Sequence, residues 1–139
     1  MSDKFDLNKL VLVGETAEAS LRRTSEILRD QGLNPNVTIE FISKEQGVFS
    51  GYGEISQIIS RFLPKAFRDE VLCLNDGDIF AKGEVILRIS CTFAVIANYI
   101  TAINGIISSS SGWATAAKEC VDSSEGIPIV NFEIGRAHV

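Results

Sequence analysis

The sequence predicts an α+β domain. Three observations carry that prediction: helical and strand periodicities alternate without a regular βαβ rhythm, glycine and proline punctuate the boundaries, and the element order reads α, β, α, β-β, α, α, β. At 139 residues the chain is one domain, residues 1–139, and long enough to bury roughly two-thirds of its unfolded surface without staples. It contains no internal repeat and no linker-like segment.

The run TAEASLRRTSEILRDQG is the first helix. Thr16 is the candidate N-cap, Glu18 suits the first turn, and Ala17, Leu21, Ile27 and Leu28 form an irregular apolar stripe. Gly32 and Pro35 end it. NVTIEFIS then alternates Val37, Ile39 and Phe41 with polar residues, the pattern of a half-buried strand. GVFSGYG reads as a tight glycine turn, since no Lys-Ser/Thr follows as a phosphate loop requires. EISQIISRFLP sets Ile55, Ile58, Ile59 and Phe62 at helical spacing, with Pro64 just beyond.

In EVLCLNDGDIFAKGEVILRIS, two β-prone runs at 70–74 and 84–89 flank two glycine turns. Asp76 and Asp78 are expected to be solvated turn carboxylates, because no further acidic ligands stand at metal-loop spacing. The stretch from Asp76 to Cys91 also fits half of a small β-sandwich. FAVIANYITAINGII is apolar nearly all round and predicts a central helix. A serine-rich loop at 108–111 should separate it from a second helix, SGWATAAKECV, capped by Ser111, with Trp113, Ala117 and Cys120 on one side. IPIVNF closes the pattern as a fully buried strand, with Pro128 near its start.

Composition narrows the function classes. Apolar residues at 45% and charged residues at 22% are those of a globular protein. A net charge of −5 opposes binding to nucleic acid, which needs a basic face to displace counterions. No charge occurs between Ile89 and Ala117, long enough to span a bilayer, yet Asn98, Asn104 and the run of serines make a membrane span costly. Cys73, Cys91 and Cys120 match no zinc or redox spacing and sit among apolar residues. They are expected to be buried free thiols, in keeping with a reducing cytoplasm. The first ten residues lack the apolar core of a signal peptide.

Five segments stand in a specific order: RRTSEILRDQGLNPNVTIEF, GVFSGYGEI, NDGDIFAKGEVILRIS, ITAINGIISSSSGWATAAK and VNFEIGRAHV. Together, from about Gly14 to Val139, they resemble the N-terminal part of nicotinate phosphoribosyltransferase. The resemblance implies the N-terminal α+β sandwich of a type II phosphoribosyltransferase, without most of the irregular α/β barrel that follows it in the family. It also implies the family reaction, in which nicotinate and phosphoribosyl pyrophosphate give nicotinate mononucleotide for NAD salvage, assisted by ATP and magnesium. The family works as dimers that share residues between active sites, so a homo-oligomer or a barrel-containing partner chain is the implied assembly.

The family's pattern Phe-Gly-x-Arg-Arg-x-His-Pro lies without gaps over Phe132 to Val139. The resemblance assigns Phe132 to the ring stacked on the pyridine, and Arg136 and His138 to the basic positions that meet the substrate anions. Glu133 replaces the glycine, Gly135 the first arginine and Val139 the proline. A one-residue shift would put Arg136 in the place of the missing arginine, but in an extended segment it would reverse every side chain. The family's Asp-x-Tyr-x-x-x-Thr pattern falls on Glu18 to Thr24, with Ser20 in the position of a second stacking tyrosine. Ile100 stands where the family has glutamate before Thr101-Ala102.

The resulting expectation is a fragment or half of a split enzyme. On its own it is expected to be inactive, without catalytic residues, metal or bound cofactor, and to bind nicotinate weakly at best. Two other expectations are a non-catalytic partner of a full-length family member and a biotinyl- or lipoyl-like carrier with Lys82 at a hairpin tip.

Overall fold

The computed structural model describes residues 8–130. It opens with a single turn, α1 (Lys9–Leu12), where the Asn8 side chain accepts from the Leu10 N–H at 2.9 Å. Helix α2 (Ala19–Asp30) begins later than the sequence suggests. Glu18, not Thr16, holds the cap position, and the Thr16 hydroxyl is buried without a hydrogen-bond partner. Ile27 points to solvent, so the apolar stripe of α2 buries only Leu21 and Leu28 in part.

Strand β1 (Asn36–Ile42) keeps the expected alternation, with Val37, Ile39 and Phe41 turned inward. A two-residue strand β2 (Gly47–Val48) follows, then α3 (Tyr52–Phe62), which buries Ile55 and Ile58, and the short α4 (Lys65–Arg68). The predicted strand at 70–74 shrinks to β3 (Leu72–Cys73). Strand β4 (Ile79–Phe80) precedes β5 (Val85–Thr92), which outruns its predicted limit by three residues.

These strands form two antiparallel sheets, one ordered β1-β5-β3 and the other a β2-β4 pair. In the larger sheet Val37, Ile39 and Phe41 face Cys91, Ile89 and Leu87 across the ladder, and a bulge lies between Phe41 and Ile42. The other face is polar. Thr38 and Ser90 share a 3.0 Å hydrogen bond there, and Arg88 donates to Glu40 at 2.6 Å. The inner face joins Ile55 and Ile58 of α3 and the helices that follow in one core, bordered by the stacked rings of Phe62 and Tyr99 at 4.2 Å.

The C-terminal helices depart most from the sequence reading. A single turn, α5 (Phe93–Ile96), leads into α6 (Ile100–Ser123), which runs unbroken through Ser108–Ser111. Serine disfavours a helix only mildly, and here tertiary bonds outweigh that preference. Ser111 is buried inside α6 rather than capping a new helix, while Trp113, Ala117 and Cys120 face outward. The expected closing strand is absent over its described part. Glu125 and Gly126 both take positive φ (50° and 90°), and Ile127, Ile129 and Val130 are exposed rather than buried. Among the described residues no strand lies alongside them to satisfy a ladder. Of the cysteines, Cys91 is buried, Cys73 is half-buried and Cys120 is exposed, so only one of the three is the fully buried thiol expected.

Candidate functional site

Phe132, Arg136 and His138 lie outside the described residues, as do Glu133, Gly135 and Val139. The other family positions fall within them, and the fold brings two of those segments together. The Glu18 N–H, at the start of α2, donates to Thr101 Oγ1 in the first turn of α6 at 3.0 Å, across 83 residues of sequence. Ser20 Oγ donates to the Glu18 carboxylate at 2.7 Å, and Thr24 Oγ1 donates to the Ser20 carbonyl at 2.9 Å. Ser20 is therefore tied to the Glu18 carboxylate and offers no face for a ring. Ile100 packs against the core, which explains an apolar residue there in structural terms.

Beside this junction runs a shallow groove of about 340 Å³, lined by Val11, Thr16, Glu54, Thr101, Gly105 and Ser109 among others. Its lining offers hydroxyls and one carboxylate but no cation. It can hold hydroxyl or amine donors, whereas the pyridine carboxylate and pyrophosphate of the family reaction require positive charge. A metal fits no better. Among the described residues no three His, Cys, Asp or Glu side chains cluster. The two acidic residues singled out in the turn are committed to backbone: Asp76 Oδ1 accepts from the Gly51 and Tyr52 N–H groups at 2.8 and 3.0 Å, and Asp78 Oδ2 from the Asn75 N–H at 2.7 Å.

Asp76 thus caps α3 from a turn 24 residues away, since glycine at the N-cap, Gly51, has no side chain for the purpose. The backbone there is left-handed (φ 115°), and a Cβ on Gly51 would stand 3.0 Å from Ile106. On the other side α6 grips the same loop. Thr115 Oγ1 accepts from the Val48 N–H at 2.9 Å, and Ser111 Oγ accepts from the Ser50 N–H at 3.1 Å. The sequence reading gave Asp76 and Ser111 other roles, as a solvated turn carboxylate and a helix cap, and missed Thr115. The signals were an i, i+4 hydroxyl pair on one helix face and a helix start with no local cap beside an Asp-Gly turn.

Thiol chemistry is suppressed where the thiols are sheltered. Burial, with the Asp76 carboxylate adding to it, pushes Cys73 up to about 11, and burial raises Cys91. Both remain protonated at neutral pH and are poor nucleophiles. Lys82 stands in the turn between β4 and β5, exposed, its Nζ 3.9 Å from the Glu45 carboxylate. Among the described residues no helix is long and apolar enough to cross a membrane.

Comparison with known proteins gives the chain its relatives. The crystal structure of nicotinate-nucleotide pyrophosphorylase from Pyrococcus furiosus superposes with a TM-score of 0.78 at 24% sequence identity. The match covers 96% of this chain and 35% of that one, so the chain spans about a third of its neighbour's length. At that identity the likeness is one of fold, and the fold is the N-terminal domain of a type II phosphoribosyltransferase, as the sequence predicted. No curated protein matches the chain. The family model described as quinolinate phosphoribosyl transferase, N-terminal domain, matches residues 20–111, well over half of the sequence. The chain belongs to that family.

Proposed function

We propose that this chain supplies the N-terminal half of a phosphoribosyl-transfer site for a pyridine carboxylate, the phosphate-binding half coming from the family's barrel domain. The family match over residues 20–111 carries this reading. The chemistry supports it. In the reaction the pyridine nitrogen attacks C1′ of phosphoribosyl pyrophosphate, the N–C1′ bond forms, and the C1′–O bond to pyrophosphate breaks. Such a step rests on positioning and on positive groups around the leaving pyrophosphate. The groove beside Thr101 holds no cation. Phosphoribosyl pyrophosphate, magnesium and ATP are the co-substrates and metal proposed for the completed site.

Nicotinate is the substrate proposed from the resemblance, with Phe132 stacking on the ring and Arg136 and His138 facing the carboxylate. Quinolinate is the second reading, favoured by the description of the matching family. The proposed setting is NAD biosynthesis in the cytoplasm, in a homo-oligomer or with a barrel-containing partner, and without nucleic acid or membrane.

Incubation with phosphoribosyl pyrophosphate, ATP, magnesium and either acid should give no mononucleotide from the chain alone. Adding a separately produced barrel-bearing chain of the family should restore it, and Phe132→Ala should abolish the gain. Robust product from the chain alone would overturn the need for a partner. No gain from any barrel-bearing chain would overturn the reading as a whole.

A further inference from the structure

The groove beside Thr101 carries polar groups that the family reaction does not call for. Its α6 wall is built on Thr101, Gly105 and Ser109, each about one turn from the next on a single flank. From Thr101 to Ser109 that wall is about 12 Å long. A Cβ on Gly105 would meet nothing within 4 Å, so the middle of the wall is open space rather than packed side chain. Thr16, ahead of α2, and Glu54, in the first turn of α3, line the groove from the other elements.

These polar groups are uncommitted. Elsewhere in the helices Thr24, Ser60, Thr115 and Ser123 donate to the carbonyl three or four residues back, a bond open to any helical hydroxyl. Thr101, Ser109 and Ser110 make no such bond among the described residues. Thr101 Oγ1 accepts from the Glu18 N–H and keeps its own proton to donate. The Thr16 hydroxyl is buried without a partner, although a buried polar group normally has one. Glu54 is half-buried, and among the described residues its carboxylate has neither an ion pair nor a hydrogen bond. Nor is Glu54 needed as a cap, since Asp76 already takes the Gly51 and Tyr52 N–H groups that open α3.

We propose that this groove binds a small hydroxylated ammonium ion of the amino sugar or amino alcohol class. Its charge sits on the Glu54 carboxylate and its hydroxyls meet Thr101, Ser109 and Ser110. A charged donor bonds a carboxylate more strongly than a neutral one does, and the lining has no cation to compete for Glu54. The volume of about 340 Å³ accommodates one sugar ring. The same negative charge repels pyridine carboxylates and pyrophosphate, so the site is separate from that of the proposed phosphoribosyl transfer. With one charge in an open groove, binding should be weak, with a dissociation constant in the millimolar range.

The test is an NMR titration of the full chain with glucosamine at slightly acid pH, where its amine is charged, following the amides of Thr101, Gly105 and Ser109. Saturable shifts at these amides are expected by about 50 mM. N-acetylglucosamine, which keeps the ring and loses the charge, should bind at least tenfold more weakly. Glu54→Gln should weaken glucosamine binding at least tenfold. Gly105→Leu, which fills the groove with a good helix former, should abolish it while the circular dichroism spectrum stays native. No saturable shift in the parent chain would overturn the proposal. Equal binding of glucosamine by Glu54→Gln, or of N-acetylglucosamine by the parent, would also overturn it, since charge would then not be what is recognised. Nicotinate should leave the three amides unmoved, and shifts there would overturn the proposal by returning the groove to the substrate site. None of these readouts depends on the mononucleotide assay, so either reading can fail without the other.

Discussion

Asp76 shows how much a single side chain can hold together. Its carboxylate takes the two N–H groups that open α3, a task normally done by the residue at the cap itself. Asp76→Ala should therefore cost about 0.5–2 kcal/mol of stability, the range measured for lost N-caps, while Asp76→Asn should recover most of it. Urea unfolding would measure both. The pair on α6 carries a similar load. Thr115→Val leaves the Val48 N–H facing a methyl group, and the loss should be about 1–3 kcal/mol, the cost of an unsatisfied buried donor. If Thr115→Val unfolds at the same urea concentration as the parent, the grip on the loop has been misread.

The cysteines separate by reactivity. Cys120 should react with a thiol reagent at pH 8 well before Cys73 or Cys91, and Cys120→Ser should remove the fast phase. A raised thiol value also links to stability. The folded state holds the proton on Cys73 up to about 11, against 9.0 for the reference thiol. That contribution is complete below about pH 9 and is lost as the pH rises through about 11. Cys73→Ala should flatten the decline in stability over that window.

At the scale of elements, the legible parts were those where one face meets the core and the other meets water. The alternation in β1 and the apolar spacing of α3 came through because Phe41, Ile55 and Ile58 occupy positions set by period alone. The β2-β4 pair was not legible, since two-residue strands carry no period, and Gly47 is there because any Cβ would lie 2.6 Å from Thr115 Oγ1. The serine run misled for a related reason. Ser111 is held by the Ser50 backbone and the neighbouring Thr115 by the Val48 N–H, partners some 60 residues earlier and invisible to any local window. The candidate site was read from motif likeness, and only its Glu18–Thr24 and Ile100–Ala102 portions fall within the described residues. Continuous α6 makes its own prediction. A Cβ on Gly105 would meet nothing within 4 Å, so Gly105→Ala should raise stability by about 0.5–1 kcal/mol. A melting curve measures the gain.

For the whole molecule, the lesson lies in how the pieces are joined. The larger sheet is held by a seven-residue ladder between β1 and β5. The β2-β4 pair has two residues per strand and depends on side chains of α6 and on the turn at Asn75–Asp78 for its remaining bonds. Opening of the molecule should therefore be graded, and amide hydrogen exchange would display the grading. The Ile39 and Ile89 amides should exchange only through global unfolding. Those of Val48 and Ser50 should exchange through a smaller opening in which α6 lifts from the loop while the larger sheet stays intact. Any ligand or partner that presses α6 onto the loop would slow exchange at Val48 and Ser50 first, which makes those two amides reporters of events on the opposite face of the helix.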